Sequence, residues 1–211
     1  MPTFCDILTP MNTQERRIIK HLRKKGLVRA ADLAPLGVPR ETLPRLHRAG
    51  RLERLGRGLY AFPDRETTLQ HSLAEAAKKV PNGVVCLLSA LSFHKLTTQL
   101  PFEVWMALDR KARLPKPGPG LAFRFHRFSG KALTAGLENH VVDGVPVKVY
   151  GVAKTVADCF KYRNKIGRDV ALEALREAWR EHRATSEDLH RYARACRVEN
   201  VMRPYMEALA A

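Results

Sequence analysis

The chain has 211 residues with 37 Lys/Arg against 21 Asp/Glu, a formal net charge of +16 and a sequence pI near 10.2. That length suffices for one large or two small domains, and a positive surplus of that size calls for a polyanionic partner, nucleic acid first among them. Cys5, Cys86, Cys159 and Cys196 stand far apart with no CxxC pair, which argues against a zinc module or a disulfide scaffold. With no apolar run near the ~20 residues of a bilayer span and no charged-then-apolar leader, the expectation is a reduced, cytoplasmic protein.

Residues 1–12 hold two prolines and no sustained period, and are expected to form an N-terminal arm. Thr13 can cap a first helix over Gln14–Lys25, with Ile18, Ile19 and Leu22 at core spacing and Lys24-Lys25-Gly26 as a cationic, glycine-ended stop. Ala30–Leu36 predicts a short second helix ended by Gly37, after which Pro39 opens a third.

In that third helix Thr42, Leu43, Leu46 and Ala49 share one arc, while Arg40, Glu41, Pro44, Arg45, His47 and Arg48 share the opposite one. A proline in a helix interior costs roughly 3 kcal/mol. Either the helix kinks at Pro44, or it starts later with Thr42 as cap and Pro44 in its first turn, which leaves Arg40 in the preceding turn. Arg51–Leu55 and Leu59–Phe62 then flank Gly56-Arg57-Gly58, a glycine-framed turn that lifts one arginine to its tip. Three helices and a basic hairpin suggest a winged helix-turn-helix over residues 13–63. The charge is densest there: residues 1–63 carry 13 Lys/Arg and 5 Asp/Glu, against 24 and 16 over the much longer remainder.

The pattern loosens at Pro63–Arg65, where a domain boundary is expected, and resumes as a helix over Glu66–Val80. After the Pro81-Asn82-Gly83 turn, VVCLLSALSFHKL predicts an apolar helix in which His94 is a cap or core histidine, having no second ligand at i±3 or i±4. Phe102–Asp109 and Leu121–Phe128 predict strands joined by a basic Pro/Gly-rich loop, RKARLPKPGPG. Val141-Val142 and Val145–Tyr150 surround Asp143-Gly144, a hairpin signal, giving a mixed sheet of about four strands. Helices follow over Val152–Tyr162 and Arg168–His182, then a shorter one after Ser186, whose hydroxyl is a good cap, to about Cys196, and one over Glu199–Leu209, which Pro204 must kink or shorten. In VAKTVADCF the four-residue spacing of Lys154 and Asp158 predicts an exposed helix pair, with Val152, Val156 and Phe160 inward. The expected fold is therefore α+β: the winged helix, then a C-terminal α/β domain over residues 66–211 with a small mixed sheet and C-terminal helices.

In a winged helix the third helix enters the major groove and the wing meets the backbone or minor groove. Arg40, Arg45 and Arg48 could donate to guanine edges or phosphates, Arg57 to phosphates beside the wing, and Glu41 could accept from cytosine. The plain alternative is a solvated helix face. Glu103 and Asp109-Arg110-Lys111 have the residue types of a metal-dependent nuclease, but the two acids stand about 20 Å apart along a strand. Walker, GxGxxG, GxSxG and HExxH motifs are absent, so no enzyme and no cofactor or metal is expected. A single-stranded RNA reader is disfavoured because the aromatics sit in strand and core patterns.

GRLERLGRGLYAF, LLSALSFHKLTTQLPFEVWMALDR and GVPVKVYGVAKTVADCFKYRNKIGRDVALEALREA resemble the AbiEi family, antitoxins of type IV toxin–antitoxin and phage-defence (abortive infection) systems. The resemblance runs from about Thr13 to the C-terminus. It implies a winged helix that binds inverted repeats in the protein's own promoter and represses the operon. It also implies a C-terminal domain that counters a nucleotidyltransferase-like toxin without a stable complex; from composition, no membrane partner is expected. On this likeness Arg40, Arg45 and Arg48 are recognition-helix positions, and Arg54 and Arg57 wing positions; Glu41 and His47, on the same face of the third helix, complete the candidate DNA-binding set. The oligomeric state is left open, a monomer binding cooperatively being one form. A winged-helix regulator without a toxin partner is the alternative.

Overall fold

A computed structural model describes residues 12–63, 69–115 and 120–210. Most of the arm, Cys5, the start of the helix expected from Glu66 and part of the basic loop lie outside the described residues.

Helix α1 (Thr13–Lys25) opens one residue earlier than expected, because Asn12 rather than Thr13 caps it, accepting from the Gln14 N–H at 3.3 Å. Gly26, at φ +66°, closes the helix. The next three residues form a strand that the sequence pattern did not announce, β1 (Leu27–Arg29). Ala30–Leu36 is a 3₁₀ turn stopped by Gly37 in the left-handed region.

Helix α2 (Thr42–Arg48) resolves the proline question in favour of the later start. Pro44 is its third residue, where the amide it lacks would have no partner within the helix. Glu41 rather than Thr42 occupies the cap position, and Arg40 lies in the preceding turn. Thr42, Leu43 and Leu46 are buried as expected, whereas Ala49 is exposed just past the helix end. The hairpin β2 (Glu53–Gly56) and β3 (Leu59–Ala61) follows, and the three-stranded sheet runs β1-β3-β2, antiparallel throughout. The N-terminal region is thus a winged helix-turn-helix.

Both faces of this small sheet are covered. Val28 and Tyr60 face Ile18, Leu22, Leu33, Leu43 and Leu46 of the N-terminal helices. The alternate residues Leu27, Leu59 and Ala61, with Leu55, face Leu73, Ala74, Ala76 and Val80 of helix α3 (Leu69–Lys79) and its end. Lys78 fastens the same joint, its ammonium 3.2 Å from Asp32 and 3.4 Å from the Leu27 carbonyl.

The other side of α3 covers a five-stranded mixed sheet of order β6-β5-β4-β8-β7. Its strands are β4 (Val84–Val85), β5 (Val104–Asp109), β6 (Phe123–Phe128), β7 (Leu137–Val142) and β8 (Val145–Tyr150). The helix expected from Val84 begins only at Leu87, as α4 (Leu87–Phe93). The two valines before it form the central strand, antiparallel to β5 and parallel to β8. A short apolar run has no period that separates a buried strand from a buried helix. β5 and β6 are parallel, and β7 and β8 form the expected hairpin, with Asp143 at φ +50° and Gly144 at +69° in the type I′ manner.

Alternation along these strands divides the core. Val85, Val104, Met106, Leu108, Val147 and Val149 face α3, while Val84, Trp105, Ala107, Phe128 and Tyr150 face a helical layer. That layer contains α4, the one-turn α5 (Lys131–Thr134), α6 (Val152–Lys161), α7 (Arg163–Ile166), α8 (Arg168–Arg180), α9 (Ser186–Cys196) and α10 (Glu199–Ala210). Thr185, not Ser186, caps α9 by accepting from the Asp188 N–H, and α10 continues through Pro204 rather than ending there. His94 is buried at the end of α4, its Nε2 2.8 Å from the Tyr150 carbonyl, as a core histidine.

α6 is the axis of this layer, and here the sequence expectation fails. Lys154 and Asp158 are not an exposed pair: both side chains are 0% accessible and lie 2.5 Å apart. The Lys154 ammonium sits 4.0 Å from the Tyr150 ring centroid and 5.0 Å from that of Phe128, and the Cys196 thiol donates to the other Asp158 oxygen at 3.2 Å. Burial pushes the Asp158 carboxyl up against the pull of Lys154, and pushes the Cys196 thiol up to about 12. The helix is enclosed on every side, so its two charged residues had to be satisfied by each other.

Candidate nucleic-acid interface

The winged helix offers one face to solvent. Arg40, Glu41, Arg45, His47 and Arg48 on α2 and the turn before it, and Arg54 and Arg57 on the wing, are all exposed. Leu43 and Leu46 anchor α2 from below, and Tyr60 of β3 lies in the same core, so helix and wing hang from one support. His47 strengthens this link: its Nδ1 is 2.9 Å from the Leu52 carbonyl and its ring meets Tyr60 edge-on at 6.1 Å. His47 is therefore a bridge between α2 and the wing as well as a surface residue.

Of the two glycines framing the wing, only Gly58 has positive φ, at +68°. The tip is fixed by a hydrogen bond from the Ala30 N–H to the Gly58 carbonyl at 2.9 Å, which ties the hairpin to the start of the 3₁₀ turn. Arg57 stands at the apex beside Gly58, exposed.

The cations differ in what holds them. Arg40 and Arg57 have no side-chain hydrogen bond or ion pair among the described residues. Among the described residues Arg48 donates only to the Pro44 carbonyl at 3.4 Å and Arg54 only to the Gly56 carbonyl at 3.2 Å, both within their own elements. Four exposed guanidinium groups thus keep their charge uncompensated, the state in which they can neutralise phosphates. Arg45 is different. Its Nη2 lies 3.1 Å from Glu15 of α1, whose other oxygen takes Arg51 at 3.3 Å. Sequence reasoning did not single out Glu15. Its partners stand 30 and 36 positions away, and no local period reports such a contact. α1 also exposes Arg16, Lys20 and Arg23 at helical spacing.

The residues weighed for nuclease chemistry do not converge. Glu103 precedes β5 and is gripped by Arg124 through two bonds of 3.0 and 3.2 Å, which hold its carboxyl below its ordinary range. Asp109, at the other end of the strand, accepts from the Lys111 N–H at 2.7 Å. Among the described residues no helix is long and apolar enough to cross a membrane.

No curated protein sequence matches the chain. Its fold is similar to that in the crystal structure of the RV2827C protein from Mycobacterium tuberculosis, with a TM-score of 0.62 and 18% identity over 94% of this chain and 81% of that one. At that identity the likeness speaks of fold alone. Residues 16–63, from the second turn of α1 to just past β3, match the family described as transcriptional regulator, AbiEi antitoxin. Over its winged-helix segment, and there alone, the chain is therefore similar to the AbiEi antitoxin transcriptional regulators.

Proposed function

We propose that this protein is a DNA-binding transcriptional autorepressor and the antitoxin of a type IV system, acting without catalysis, cofactor or metal in the cytoplasm. Residues 13–63 bind repeats in its own promoter, and residues 66–211 counter a nucleotidyltransferase-like toxin without forming a stable complex with it. The observation that carries the DNA-binding part is the set of four exposed arginines, Arg40, Arg48, Arg54 and Arg57, that have no acidic partner among the described residues. The family match over that same segment supports it.

In this reading α2 lies in the major groove, where Arg45 meets base edges, Arg48 meets the flanking phosphates, and Arg40 and Glu41 lie at the leading end. Arg54 and Arg57 grip phosphates beside the wing, so much of the affinity comes from charge and falls steeply with salt. The antitoxin part rests on family likeness rather than on a site. A winged-helix regulator with no toxin partner is the second reading, favoured by the family match ending at residue 63.

Fluorescence anisotropy of the full-length protein tests the first part, with a labelled duplex from immediately upstream of its gene against a scrambled one at two salt concentrations. A preference of about a hundredfold that survives the higher salt is expected. Equal, salt-sensitive binding to both overturns it. Rescue of growth from the neighbouring gene product tests the second part, and failure to rescue leaves the plain regulator.

A further inference from the structure

Five exposed arginines line α2, its lead-in and the wing, and among the described residues four of them form no ion pair. Arg45 alone is held, by Glu15. The Glu15 side chain, on α1, is 14% exposed, and each of its oxygens takes one guanidinium: Arg45 at 3.1 Å and the half-buried Arg51 at 3.3 Å. Arg45 stays 55% exposed. The contact uses one of its terminal nitrogens, and among the described residues its guanidinium has no other partner.

We propose that Glu15 is a positioning residue for sequence discrimination: it presets the orientation from which Arg45 reads a base edge. The inference rests on the DNA-binding reading above. A flexible arginine must surrender its rotamer freedom on binding, whereas one already pinned by a carboxylate has lost much of it beforehand. A bidentate contact to guanine also needs the fork in one plane, which a phosphate contact does not. Glu15 therefore divides the labour. Arg45, partly neutralised and fixed, serves specificity; Arg40, Arg48, Arg54 and Arg57, uncompensated, serve grip. The same carboxylate lowers the charge offered to random duplex, which widens the discrimination further.

The test uses the full-length protein and the duplex it enriches from a randomised library, with a scrambled control, read by anisotropy at two salt concentrations. Glu15→Gln is expected to reduce the preference for the enriched duplex by about fivefold to a hundredfold, the range supplied by one good base contact. Affinity for the scrambled duplex should be unchanged or higher and the salt slope no shallower, since a negative charge has been removed. In an Arg45→Ala background the same change should add nothing. Unchanged discrimination, equal loss on both duplexes, or full additivity with Arg45→Ala would each overturn the proposal. If Glu15→Gln lowers the melting temperature, Arg51→Gln decides. It cuts the carboxylate's other contact and leaves Arg45 paired, so retained discrimination supports positioning and an equal loss shows that Glu15 acts only by holding α1 in place. Should the wild type enrich no sequence, the DNA-binding reading itself fails, before any variant is made.

Discussion

Replacing Lys154 by methionine strands Asp158 in the helical layer. Methionine keeps the stem that lies against Tyr150 and Phe128 but removes the ammonium 2.5 Å from the carboxylate. Both side chains are wholly inaccessible, so no water can replace the lost partner, and the Cys196 thiol is left as the remaining donor to Asp158. Breaking one half of a buried pair costs about 3–5 kcal/mol. For a chain of this size each kcal/mol moves the melting temperature by about 2–4 °C, so a fall of roughly 6–20 °C is expected. An exposed pair at the same spacing would contribute only about 0–1 kcal/mol. Thermal melts by circular dichroism at pH 7, checked by urea titration, separate the two cases. The double change Lys154→Met with Asp158→Leu should recover most of the loss, because an apolar pair of similar volume removes the desolvation problem. A Lys154→Met protein that melts within about 2 °C of wild type would refute the reasoning.

On DNA, Arg48→Ala and Arg57→Ala should weaken operator and random duplex alike and reduce the salt slope by about one each if these residues hold phosphates, whereas Arg45→Ala should cost about 1–3 kcal/mol on the operator alone; loss confined to the operator in Arg57→Ala would refute its phosphate role. His126 is stacked on Trp105 at 5.0 Å with its Nε2 buried and unpartnered, and burial, with the charges of Lys165 and Arg124 behind it, pushes its pKa down to about 4. The unfolded chain therefore takes up this proton first as pH falls, so stability is complete above about 6.5 and declines toward 4, by up to about 3 kcal/mol. His126→Phe should flatten denaturation midpoints across that window, and an unaltered pH profile would show that another group is responsible. Leu59→Ala removes a wing-strand side chain from the core shared with α3 and should cost about 2–5 kcal/mol. Both tryptophans, Trp105 and Trp179, lie far along the chain, yet their fluorescence midpoint should fall as well; a tryptophan transition that stays put would mean that the two regions unfold separately.

Where local chemistry decides the outcome, the sequence was readable. The glycine stops of α1 and of the 3₁₀ turn, the wing around Arg57 and the Asp143-Gly144 turn all depend on residues that admit few backbone conformations, whereas Pro44 narrowed α2 to a kink or a late start without choosing between them. What stayed hidden depends on distant parts of the chain. β1 is three residues long and exists because β3, some thirty positions later, supplies its hydrogen bonds. β4 is two valines that only the flanking β5 and β8 make into a strand. The parallel pairing of β5 and β6 leaves no mark in either segment. Lys154 and Asp158 misled because a four-residue spacing of opposite charges has the same pattern on a wet face as in a dry layer; the flanking Val, Ala, Cys and Phe residues on every side of α6 were the available hint. At the candidate interface the exposed residues followed from helical period, while the Glu15 bridge to Arg45 and Arg51 needed three dimensions.

The small sheet behind the wing is a party wall. Val28 and Tyr60 face one room, Leu27, Leu59 and Ala61 the other, and a wall of this sort cannot be moved with only one of the rooms. A recombination event that joined this winged helix to a foreign body just after residue 63 would deliver a bare apolar surface. The inheritable block that keeps its own cover runs on through α3 to Val80. For the lineage this means that drift in the winged helix is policed by residues of the following helix, and that such winged helices are expected to be traded between chains together with that helix, or not at all.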